Sequence, residues 1–275
     1  TYEEGIDPPL DVLADRVQSV LADAPADGRR IVRVSVPVDP EVDPIRWIRA
    51  QEEDDDVSYW SSRTPGASPT AEQSGQDPQA ADAVAAVGSA DVITSTQSPL
   101  NYERLERRLR DRLECADPPI RYVGGLRFDA PQPSSSRRPD DLWHPFGTYR
   151  FVLPRFELRS RAARRELACN LVLPRDAAQG GALGERIRAL SFPATPVNGA
   201  LPRPGRRTDR PDREGWTRMI RWALDAIGDG RLDKVVFARQ VSIGLDRGVD
   251  PLRVLHHLKA TTPGCFHFAL RPPSV

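Results

Sequence analysis

The chain has 275 residues, with 39 basic and 39 acidic side chains and a formal net charge of zero. That balance argues against nucleic acid or an anionic membrane as the main partner, while a local basic pocket for a small anion stays open. The length suits one large domain or two small ones, and no apolar run approaches the roughly 18 residues of a membrane-spanning helix.

Residues 10–22 carry Leu10, Leu13, Val17, Val20 and Leu21 at helical spacing and end near Pro25. The run 29–38, RRIVRVSVPV, alternates as a half-buried strand does, whereas IRWIRAQ is too short to assign. A strand is expected at 56–63 (DVSYWSSR), leading into the polar loop TPGASPTAEQSGQDPQA. The small apolar run 83–93 reads as a tightly packed strand. PLNYERLERRLRDRLECA (99–116) is a helix with Leu105, Leu109 and Leu113 as its stripe. Its arginines lie on the solvated face and are not a nucleic-acid patch. RYVGGLRFDA (121–130), FGTYRFVLPRFELRS (146–160) and ELACNLVL (166–173) are β-rich, and LGERIRALSF reads as a short helix.

Residues 193–215 are dense in Pro, Gly, Arg and Asp and read as a flexible linker or long loop. After them come an amphipathic helix (WTRMIRWALDAIGDG), a buried strand over 233–243, and a helix with Asp250 as N-cap and Pro251 at its first position. The strand CFHFAL (265–270) follows. The expected organisation is an N-terminal α+β half over 1–192, a linker over 193–215, and a second region over 216–275. With no regular βαβ spacing and no Gly-rich phosphate loop, the fold class is α+β, a mixed and largely antiparallel sheet with helices. The glycine pairs 124–125 and 180–181 match no nucleotide-binding pattern.

Cys115, Cys169 and Cys265 are far apart and form no CxxC pair, so they read as small buried hydrophobes in a reducing cytoplasm. TYEEGIDPPL lacks the basic and apolar regions of a signal peptide. A start at Thr1 and a stop soon after FHFAL read as the edges of a longer sequence. His256 and His257 are adjacent on a helix and cannot form an i,i+4 metal pair; His144 and His267 read as lone histidines. EEDDD (52–56) reads as a solvated loop, and no GxSxG elbow occurs.

Lys234 is the residue that stands out. In a strand it would share a face with Val236 and Ala238. Small apolar neighbours there could make it a base, and the plainer reading is that it snorkels to water from the strand's start.

Taken in order, YWSSR (59–63), RYVGGLRFDA (121–130), WHPFGTYRFVLPRFEL (143–158), ACNLVL (168–173), LDKVVFARQVSI, DPLRVLHHL and PGCFHFAL resemble isochorismate synthases, a branch of the chorismate-utilising enzymes. The resemblance runs from about residue 56 to the end. It implies a single large α+β domain of two halves around an antiparallel core, of which this chain would hold the N-terminal half and the start of the catalytic region. Lys234 matches the lysine of the K-V-V-x-A/S-R motif. In the family that lysine is held to activate the water that attacks C2 of chorismate as the C4 hydroxyl departs. Relatives that deliver ammonia tend to lack it.

The resemblance also implies Mg2+ as cofactor, chorismate as substrate, a cytoplasmic enzyme of menaquinone or siderophore biosynthesis, and a monomeric full-length form without nucleic-acid or membrane partners. The family's general acid lies in a G-A-[ST]-P-E segment, and its metal ligands are later glutamates. No Glu follows Glu214 here, so neither is assigned. The chain alone is therefore expected to be inactive and, with unpaired apolar strands, poorly soluble. The alternatives are a non-catalytic remnant or binding module and, among enzymes, a salicylate synthase or an aminodeoxychorismate synthase component.

Overall fold

A computed structural model describes residues 8–51, 56–63, 82–96, 100–117, 120–127, 146–161, 164–193 and 201–273. The acidic residues 52–55, the loop 64–80 and His144 lie outside these. The chain divides into two units, one of residues 1–197 with 255–275 and one of residues 198–254.

The first unit is α+β. Its elements in chain order are α1 (Pro9–Ala22), β1 (Arg30–Val38), α2 (Pro44–Arg49), β2 (Val57–Ser61), β3 (Ala83–Ser95), α3 (Tyr102–Glu114), β4 (Ala116–Asp117), β5 (Val123–Leu126), β6 (Tyr149–Arg161), β7 (Arg164–Leu173) and α4 (Gly180–Arg188). β10 (His267–Arg271) follows late in the chain. The strands form one sheet in the order β10-β2-β3-β6-β7-β1-β4, with β5 added to β6. All its pairings are antiparallel except β1 with β4.

Register explains the core. Val36, Leu167, Leu158, Ala85, Tyr59 and Ala269 lie side by side across six strands, next to the row Val34, Cys169, Phe156, Val87 and Val57. Because side chains alternate along a strand, the neighbouring row on the opposite face is Ser35, Ala168, Glu157, Ala86, Ser58 and Leu270. The first face is apolar and covered by helices: α1 packs on β1 and β7, and α2 on β3 and β6. Leu13, Ala14 and Val17 of α1 and Ile45 and Trp47 of α2 are fully buried. The run IRWIRAQ is thus a helix, short but capped by Asp43, whose Oδ1 accepts from the Arg46 amide at 2.8 Å. α3 covers the opposite face near β5, where Leu105 packs with Ile93 and Tyr149.

The glycine pair at 124–125 has a steric cause. A Cβ on Gly124 would come within 1.9 Å of the Arg150 carbonyl oxygen, so β5 can pair with β6 only without a side chain there.

The second unit departs from the sequence reading in two places. Where composition suggests a linker, Pro204–Arg210 is a strand, β8, followed by α5 (Arg213–Gly228). Asp212 caps α5, accepting from the Gly215 amide at 2.8 Å. Where a buried strand over 233–243 is expected, the strand β9 is only Gln240–Leu245, and all six residues are exposed. Among the described residues β9 pairs with β8 alone. α6 (Pro251–Thr261) starts in this unit and ends in the first, with Asp250 Oδ1 accepting from the Leu252 amide.

Candidate active-site position and the buried polar groups

Lys234 sits in an irregular stretch, 234–239, between α5 and β9. The turn before it forms because Arg231 and Leu232 donate their amides back to the Ala226 carbonyl, with Gly230 at φ 69. From there residues 234–239 pair with no strand. Phe237 alone finds an aromatic partner, an edge-on contact with Trp216 at 6.0 Å. Val236 is 81% exposed, and Lys234 is exposed. This corrects the expectation of a buried strand over 233–243, in which Lys234 would share an apolar face with Val236 and Ala238; the exposure of Lys234 accords with the plainer reading that it reaches water. An apolar run is buried only where a second surface covers it, and the strand paired with β9 is itself the polar PGRRTDR. Arg239, the last residue of the motif, reaches toward Asp209 at 3.8 Å.

Four polar clusters of the first unit escaped the sequence reading. Arg155, on β6, forks onto Asp176 at 2.6 and 3.2 Å and donates to the Asn170 carbonyl, while the Val172 amide also donates to Asp176. Burial opposes ionisation of Asp176, but the Arg155 hydrogen bond, the Val172 amide and the nearby guanidinium charges outweigh it and hold the carboxyl below its ordinary range. Further along β6, Glu157, only 1% exposed, is shared by Arg33 at 2.7 Å and Arg159 at 2.9 Å. Arg33 also binds Glu166, which accepts from Ser35. Glu166 is held low despite its burial by Arg33, Ser35 and Arg159. Arg159 is shifted down by burial and by the like charges of Arg33 and Arg121, which outweigh the attraction of Glu157.

Asp91 gathers Arg29, Arg112 and the Tyr122 hydroxyl at 2.6–3.0 Å, tying α3 to β3. Burial works against ionisation of Asp91, but the Tyr122 hydroxyl, Arg29 and Arg112 outweigh it and hold the carboxyl low, while burial first, and then the Asp91 carboxylate, drive the Tyr122 phenol high. Asp56, the last of the EEDDD run, is buried and accepts through both carboxylate oxygens from Nη2 of Arg150, so it belongs to no solvated loop. In each cluster the carboxylate is already occupied by guanidinium groups. The arrangement fastens strands and helices together and leaves none of these carboxylates free as an acid or base. Its trace in the sequence is the alternation in RFELRS, where Phe156 and Leu158 face the helices and Glu157 and Arg159 the other side.

Cys169 is fully buried, and burial pushes its thiol up to about 12, in keeping with a small core residue; Cys265 is exposed. His256 is half-buried, His257 exposed and His267 buried. Among the described residues no group of three His, Cys, Asp or Glu side chains could hold a metal ion, so the Mg2+ implied by the resemblance has no fitting ligand set there. Nor is any described helix long and apolar enough to cross a membrane. The open sheet face carries a groove of about 800 Å³ lined by Trp60, Leu126, Phe146, Phe268 and Leu270, with no carboxylate in its wall.

Residues 18–274 match the family model described as chorismate binding enzyme, and the chain belongs to that family. Among curated proteins it is similar to isochorismate synthase 2, chloroplastic, of Arabidopsis thaliana, 27% identical over 277 residues, covering 95% of this chain and 48% of the relative. It is also similar to isochorismate synthase MenF of Escherichia coli strain K12, 26% identical over 247 residues, covering 88% and 47%. The chain thus spans about half the length of these relatives. A solved structure of MenF, the menaquinone-specific isochorismate synthase from Escherichia coli, superposes with a TM-score of 0.67 at 23% identity, over 97% of this chain and 54% of that one. That likeness bears on the fold, which is the mixed α+β fold expected.

Proposed function

We propose that the protein carrying this chain is an isochorismate synthase that adds water to C2 of chorismate with loss of the C4 hydroxyl. The observation that carries the reading is the match to the chorismate-binding family over residues 18–274, reinforced by two curated isochorismate synthases as relatives. In this reading Lys234 is the general base. It removes a proton from the attacking water, and a lysine can do so once its amine is neutral. Menaquinone biosynthesis is the pathway favoured, because the relative MenF is described as menaquinone-specific. We place the enzyme in the cytoplasm as a monomer. Mg2+ would neutralise a substrate carboxylate; since the described residues offer no ligand set, no step is assigned through it.

A second reading has its own observation. Lys234 is exposed and makes no hydrogen bond or ion pair with the described residues, as in a family member that binds without turnover. One assay separates the two: chorismate with Mg2+ and the purified protein, with products resolved by chromatography. Isochorismate, abolished by Lys234→Ala, supports the first reading. Chorismate left unchanged supports the second, and salicylate or aminodeoxychorismate as product would refute both.

A further inference from the structure

Three buried polar atoms lie where β2 meets β10, and none has a hydrogen-bond partner among the described residues: Tyr59 Oη, Ser61 Oγ and His267 Nδ1. Tyr59 and Ser61 are 0% exposed and His267 is 7% exposed. Register brings them together. Ser61 stands directly opposite His267, and Tyr59 lies two residues along the same strand, opposite Ala269, so all three project from one sheet face. The Lys259 ammonium at the end of α6 lies 5.9 Å from the centre of the Tyr59 ring on that face.

The hydrogen-bond chain on the far side of the imidazole fixes its tautomer. The Thr262 hydroxyl donates to the Leu258 carbonyl at 2.6 Å, which uses its only proton. Toward His267 Nε2, 2.9 Å away, the Thr262 oxygen must therefore accept, and Nε2 carries the hydrogen. In the neutral ring Nδ1 is then a bare acceptor. The Tyr59 and Ser61 hydroxyls, both able to donate, lie on the same face, and neither is hydrogen-bonded to His267. Buried polar groups of this kind are satisfied in native proteins, commonly by an enclosed water with two to four partners.

We propose that Tyr59, Ser61 and His267 form one internal hydration site, holding an ordered water that donates to His267 Nδ1 and accepts from a hydroxyl of Ser61 or Tyr59. Water suits the site because it both donates and accepts. A metal cation does not, with an ammonium close by and no carboxylate among the three side chains. The site fastens the turn between α6 and β10 to β2, through Thr262 on one side of the imidazole and the water on the other.

A crystal structure of the protein at a resolution that places waters tests this, together with 15N imidazole NMR. The expected result is one peak of water density within hydrogen-bond distance of at least two of the three atoms, and an Nε2–H tautomer for His267. A dry site, a direct Ser61–His267 hydrogen bond, density of an ion, or an Nδ1–H tautomer would each overturn the proposal. The NMR measurement stands independently of crystals.

Discussion

ELACNLVL in β7 and LDKVVFARQVSI around Lys234 look alike as sequence, both apolar and rich in β formers. In the structure they have opposite fates. β7 is paired on both edges, by β1 and β6, and its residues from Leu167 to Leu173 are all buried. The Lys234 stretch is unpaired until Gln240 and is then paired on one edge by a polar strand, with Val236 and all of β9 exposed. Local sequence sets the capacity to be a strand; burial needs a partner on each edge and a layer on the face. The buried region should therefore be sensitive to change, and the Lys234 region should tolerate substitution as far as folding is concerned.

Acid should affect the buried region most, because it acts on several carboxylates together. Asp91, Glu166 and Asp176 all titrate below their ordinary values of 3.8, 4.5 and 3.8 when folded. Their contribution is thus complete above those values and is lost as pH falls through the lowered ones. Denaturation midpoints should hold down to about pH 4 and drop steeply below it. A flat profile through that range would show that the clusters do not stabilise the fold.

Asp176→Ala comes next. It leaves the Arg155 guanidinium buried and unpaired, at a cost of about 3–5 kcal/mol in urea unfolding; a change under about 1 kcal/mol would show that water reaches the site. Tyr122→Phe removes one hydrogen bond to the Asp91 carboxylate and should cost about 1.5–3 kcal/mol. The smallest effect belongs to the other region: Val236→Ser, at an exposed site, should stay within about 0.5 kcal/mol. A larger loss there would mean that the segment is covered after all, and the contrast with β7 would fail.

The sequence made the long elements readable because periodicity agrees with packing: α1, α3, α5, β1, β3, β6 and β7 all fall close to where the residues suggest. α2 was hidden by its length, six residues being too few for a periodic signal although Asp43 and Pro44 mark its start. β8 was hidden by composition, since its residues form a ladder while burying almost nothing. Lys234 was legible as a motif position but not as a geometry, because whether a strand is buried depends on what lies beside it. The charged clusters were unreadable for a related reason. Glu157 and Arg33 are 124 residues apart, and only the register of three strands brings them to one place.

Lys234→Ala in the protein carrying this chain tests the central claim most directly when turnover and stability are measured on the same sample. The account predicts that conversion of chorismate to isochorismate falls by about 10²–10⁴-fold, the usual worth of a general base, while the unfolding free energy moves by less than about 0.5 kcal/mol. Turnover within a few-fold of the unsubstituted protein would contradict it, leaving Lys234 an exposed surface residue of the kind its surroundings alone would suggest.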